Sequence, residues 1–68
     1  MATIYARFGS KVRELRKKRK LSQQELAEKA RMDFTSISEI ESGLRNPYLK
    51  TIYKIASALN INVREFFS

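Results

Sequence analysis

The sequence predicts an all-α fold, a compact five-helix domain spanning residues 1–68. Three observations predict it. Apolar residues recur at spacings of three and four along almost the whole chain, the period of an amphipathic helix. Residues that cap helices stand just ahead of the periodic runs. No stretch alternates with period two, as a half-buried strand would.

Each element has its own signal. Tyr5, Phe8, Val12 and Leu15 share one face of a first helix, expected from about Tyr5 to Arg19. Gly9 interrupts it, at a propensity cost of about 1 kcal/mol against Ala. Ser22 with Glu25 three residues on is the capping-box pattern, so a second helix runs from Gln23 to about Ala30, with Leu26, Ala27 and Ala30 inward. Small Ala27 lets a neighbouring helix come close. Asp33 is a good N-cap for a third helix, Phe34 to Ser42, with Ile37 and Ile40 inward, Met32 and Leu44 closing its ends, and Gly43 at the left-handed cap position. Pro47 breaks helical geometry before it, so a fourth helix starts at Tyr48 or Leu49 and carries a core stripe of Leu49, Ile52, Ile55, Ala56 and Leu59. Asn62 can cap a short fifth helix, Val63 to Phe67.

Charge narrows the class of function. Fourteen Lys and Arg oppose seven Asp and Glu, a formal net charge of +7. Eight of the cations precede Leu21: Arg7, Lys11, Arg13, Arg16, Lys17, Lys18, Arg19 and Lys20. Such a field attracts polyanions, although a solvated basic helix end would have the same composition. With neither Cys nor His in the chain, disulfides, thiolate metal sites and the commonest general base are excluded. No metal, no cofactor and no enzymatic activity are expected. The chain shows no apolar run of membrane-spanning length and no signal peptide, so the expected location is cytoplasmic.

The run Leu21-Ser22-Gln23-Gln24-Glu25-Leu26-Ala27 resembles the start of the helix-turn-helix in the Cro and phage-repressor family of bacterial transcriptional regulators. The likeness continues through Ile37-Ser38-Glu39-Ile40-Glu41-Ser42-Gly43, Arg45-Asn46-Pro47, the Leu49 to Leu59 stripe, and Val63-Arg64-Glu65-Phe66-Phe67. Each piece is weak alone, but at these mutual spacings the set is specific. The resemblance places a helix-turn-helix at about 22–43, its second helix lying in the major groove of double-stranded DNA. It implies a sequence-specific regulator, with base contacts from Phe34, Thr35, Ser36 and Glu39. Phosphate contacts would come from Gln23, Ser42, Arg45, Asn46, Arg16 and Lys50. It also implies a structural ion pair between Arg16 and Glu41, with Arg13 as a competing partner.

The third helix departs from the usual pattern, because residues 33–42 contain no Lys or Arg. The commonest specific contact, Arg to guanine, therefore cannot come from the helix itself. At the other end of the chain, Ile61, Val63, Phe66 and Phe67 hold more apolar surface than a short terminus needs. They are expected to serve a homodimer interface, or else to fill the monomer core. Small members of the family include phage repressors, restriction-modification controller proteins and antitoxins. An antitoxin or protein-interaction module using the same fold is thus the alternative function. Gln24 and Glu28 lie where activators of the family touch RNA polymerase, although ordinary surface charge is the stronger reading of Glu28.

Overall fold

The computed structural model describes residues 3–67; Met1, Ala2 and Ser68 of the expected domain lie outside the described residues. Four α-helices follow in order: α1 Ile4–Lys18, α2 Gln23–Ala30, α3 Phe34–Glu41 and α4 Leu49–Leu59. The expected fifth helix is instead a 3-10 helix, Val63–Phe67. Five residues are too few for an α-helix to repay its nucleation, and a tighter turn suits so short a run.

The caps explain the boundaries. Thr3 accepts from the Ala6 N–H and starts α1, a cap the sequence reading did not identify. At Ser22 the capping box is complete, with Ser22 N–H donating to Glu25 at 2.8 Å and Glu25 N–H donating back to the Ser22 hydroxyl at 3.0 Å. Asp33 caps α3 through the Ser36 N–H at 2.9 Å. α2 ends at left-handed Arg31 and α4 at left-handed Asn60, while Gly43 (φ 77°) takes the same conformation just past α3. Behind each, an N–H reaches five residues back, Met32 to Ala27, Leu44 to Glu39 and Ile61 to Ala56, which satisfies a carbonyl that the helix leaves free.

Phe8, Val12, Leu15, Leu26, Ala27, Ile37, Ile40, Ile55, Ala56, Leu59 and Phe66 form one continuous core. Three residues expected inside lie outside it. Tyr5, Leu44 and Leu49 are exposed, because each sits at an element end where the chain has turned away from the packed face.

α1 and α3 touch backbone to backbone at Gly9. A Cβ there would run into the carbonyl oxygens of Ile40 and Glu41. The glycine that looked like a weakness of α1 is what lets the two helices approach. Next to this contact, Arg16 of α1 and Glu41 at the end of α3 are both buried, with Arg16 Nε 2.7 Å from Glu41 Oε2 and Nη2 3.1 Å from Oε1. Arg16 Nη1 also donates to the Leu21 carbonyl at 2.7 Å, which fixes the link into α2.

Two substitutions test this seam. Helix propensity alone would have Gly9→Ala stabilise by about 1 kcal/mol; the close approach reverses the sign, and urea unfolding should show a loss of about 1–3 kcal/mol. Glu41→Ala leaves a buried guanidinium without its carboxylate and should cost about 3–5 kcal/mol, read as a lower thermal midpoint.

Candidate nucleic-acid interface

α2 and α3 are joined by Arg31-Met32-Asp33, a tight connector made possible by left-handed Arg31. Ile37 and Ile40 bury one side of α3 in the core, which leaves Phe34, Thr35 and Glu39 on its outer side. Phe34 is 45% exposed. It offers an apolar surface suited to a methyl group, while Thr35 offers a hydroxyl and a methyl together.

Ser36 is placed differently from the expectation. It is only 7% exposed, and its hydroxyl donates to Asp33 Oδ1 at 2.8 Å. Position 36 lies beside Ile37 and Ile40 rather than on the outer face, so this hydroxyl is not offered to a base. The Ser36 hydroxyl and backbone N–H together hold the Asp33 carboxyl below the usual carboxylate range, with a smaller contribution from nearby Arg45. In the same way the Ser22 backbone N–H, then its hydroxyl, lowers the Glu25 carboxyl.

Of the residues expected to meet phosphate, Gln23 stands at the first position of α2, half-buried. Its side-chain amide donates to Glu41 Oε1 at 3.0 Å. That bond holds the side chain over the end of α3 and leaves the second Nε2 hydrogen for another acceptor. The first N–H groups of α2 have no acceptor within the helix and form a natural anion site beside it. Ser42 and Asn46 are exposed just past α3, with the Ser42 hydroxyl donating to the Ser38 carbonyl at 3.0 Å, and Lys50 is exposed on α4 beside the end of α2. Arg16 does not join them. Its Nε, Nη1 and Nη2 all donate inside the protein and its side chain is 10% exposed, so its charge serves the fold.

Arg45 also departs from the expectation. It does not reach outward as a free cation but lies back along α3, with Nε 2.7 Å from Glu39 Oε1 and Nη1 3.0 Å from the Ser36 hydroxyl oxygen. Sequence reading missed this pair because the two residues are separated by a helix end. The left-handed turn at Gly43 is the signal that could have found it, since it sends the chain back past the helix it has just left. Free positive charge stands to one side instead. Lys29, Arg31, Lys50 and Lys54 line a cleft with Tyr53 between the end of α2 and α4.

The C-terminal residues divide. Phe66 belongs to the monomer core, its ring edge-on to Phe8 at 5.0 Å. Ile61 and Val63 pack partly against the same core. Phe67 stacks on Phe8 at 6.0 Å, yet stays 57% exposed. It borders an apolar groove with Ile4, Tyr5, Pro47 and Ile52. Among the described residues no helix is long and apolar enough to cross a membrane.

Comparison with known proteins agrees with this geometry. A family model described as helix-turn-helix matches residues 12–66. The control protein C.MunI from Mycoplasma sp is 44% identical over 69 residues, covering 100% of this chain and 93% of that one. The immunity repressor protein of Bacillus phage phi105 is 42% identical over 55 residues, covering 81% of this chain and 38% of its own length. Among solved structures, the restriction-modification controller protein C.AhdI from Aeromonas hydrophila superposes with a TM-score of 0.91 at 41% identity, over 93% of this chain and 96% of that one. The chain therefore belongs to the helix-turn-helix family of DNA-binding transcription regulators.

Proposed function

We propose that the protein is a sequence-specific regulator that binds a palindromic operator as a homodimer, one α3 helix in the major groove of each half-site. The observation that carries this reading is the division of α3. Its inner side, Ile37 and Ile40, is sealed in the core, while Phe34 and Thr35 stand exposed and Glu39 is half-buried beside them, paired with Arg45. Base selection falls to these three. Gln23, Ser42, Asn46 and Lys50 take the phosphates on either side and set the register of the helix in the groove. The cleft of Lys29, Arg31, Lys50 and Lys54 supports affinity for the backbone without choosing sequence.

The dimer reading is supported by Phe67 and the apolar groove beside it, lined by Ile4, Tyr5, Pro47 and Ile52; Phe66 is withdrawn into the core, and Ile61 and Val63 line a separate cleft beside Tyr53. A two-fold dimer on a palindromic site needs its two α3 helices about 34 Å apart, one turn of DNA. The 1–68 chain acts here as one DNA-binding domain, in the cytoplasm where its target lies. Gln24 and Glu28 are exposed on α2 and are the residues that would meet RNA polymerase at a promoter.

Selection from random DNA at fixed salt should return an inverted repeat, and sedimentation at micromolar concentration should give a dimer. A monomer there contradicts the two-fold arrangement. Equal binding to every sequence, with tight binding to a protein encoded alongside, would favour the interaction-module alternative. Gln23→Ala should weaken binding to all duplexes by a similar factor and leave the salt slope near wild type, because a phosphate contact carries no sequence information and a neutral amide releases no counterion.

A further inference from the structure

We infer that Arg45 and Glu39 read one G·C base pair as a unit, Arg45 taking guanine O6 and N7 and Glu39 accepting from cytosine N4. This rests on the reading of α3 as the recognition helix, and it removes Arg45 from the phosphate contacts. Residues 33–42 hold no cation, yet the guanidinium of Arg45 returns across the Gly43 turn to the outer side of α3. It is held at two points, Nε on Glu39 Oε1 at 2.7 Å and Nη1 on the Ser36 oxygen at 3.0 Å. Ser36 is buried, and its only hydroxyl hydrogen goes to Asp33 Oδ1. Its oxygen can therefore only accept, which makes it a fixed seat for an arginine donor. The side chains run as a chain, Asp33 to Ser36 to Arg45 to Glu39, anchored at the cap of α3.

What remains free has the right shape. An arginine has five N–H donors. Two are used inside, and Nη2 has no partner among the described residues. A fork of two outward donors is what guanine O6 and N7 require. Beside it, Glu39 Oε2 has no partner among the described residues either. In the major groove a G·C pair sets the guanine acceptors next to the cytosine amino donor. A guanidinium joined to a carboxylate presents the complement, donors next to an acceptor. For a phosphate the same pair is poorly suited, since the carboxylate 2.7 Å away cancels the charge that a phosphate would seek. Arg31, Lys50 and Lys54 have no such neighbour among the described residues and fill the phosphate role better.

The test compares the wild-type protein with Arg45→Ala, Arg45→Lys and Glu39→Gln in random-DNA selection, followed by titration of the selected duplex and a scrambled one. The wild-type motif should hold a G·C pair in each half-site whose preference relaxes in Arg45→Ala, with affinity for the selected duplex falling about 5- to 150-fold and for the scrambled one far less. Arg45→Lys keeps the charge but not the fork and should relax the same position. Glu39→Gln should change preference at that same base pair. Thermal midpoints, measured for each variant, should stay near wild type because both side chains are partly exposed. A uniform loss on all sequences in Arg45→Ala overturns the inference and restores a phosphate contact, while the motif itself survives. Changes at two different base pairs for the Arg45 and Glu39 variants also overturn it. A wild-type protein that selects no motif overturns the recognition reading and this inference with it.

Discussion

Two opposite charges that meet out of water, Arg16 and Glu41, tie together the three helices beneath the surface that would face DNA. Glu41 accepts from two nitrogens of Arg16 and from the amide of Gln23, while Arg16 reaches on to the Leu21 carbonyl. One buried cluster thus joins the end of α1, the start of α2 and the end of α3. It can form only because Gly9 lets α1 and α3 touch. A buried ion pair contributes little net stability against an apolar equivalent, since both ions lose their hydration. Its value here is geometric. It also takes a carboxylate off a surface that must approach a polyanion, and gives that carboxylate the task of aiming Gln23.

The charge pattern separates grip from choice. The net charge of +7 sits on α1 and around the cleft between α2 and α4, while the outer side of α3 carries an aromatic ring, a hydroxyl and a neutralised ion pair. Long-range attraction and phosphate contacts act on any duplex and weaken steeply with salt. Base discrimination acts over hydrogen-bond distance and hardly senses the bulk field. Because the two sets of residues barely overlap, either could change without the other.

Much of the architecture was legible in the sequence because local chemistry and global packing agree there. Ser22 with Glu25 marks the start of α2, and Asp33 with Gly43 brackets α3 within a residue. Ile37, Ile40, Ile55 and Leu59 announce the core by their spacing. The differences came where tertiary contact overrides local signal. Gly9 looked like a break in α1 and is its closest contact. Val63–Phe67 has helical spacing but too few residues to form more than a 3-10 helix. At the candidate site, the outward positions of Phe34, Thr35 and Glu39 followed from the helical period. The Arg16–Glu41 pair followed from the resemblance and is present. The inward turn of Ser36 onto Asp33 did not follow, nor did the return of Arg45 onto Glu39, which depends on the path of the chain past the end of α3.

Two of the turns carry cations where glycine would be easier. Lys20 and Arg31 hold left-handed backbone (φ 58° and 56°), a conformation that costs a residue with a Cβ about 1–2 kcal/mol. In a protein with so small a core that is a large fraction of the folding free energy. DNA binds the folded form, so by mass action its presence raises the stability of the whole domain. Free protein is then the less stable species and DNA-bound protein the more stable one. At these two turns the chain thus gains positive charge where a glycine would have relieved backbone strain.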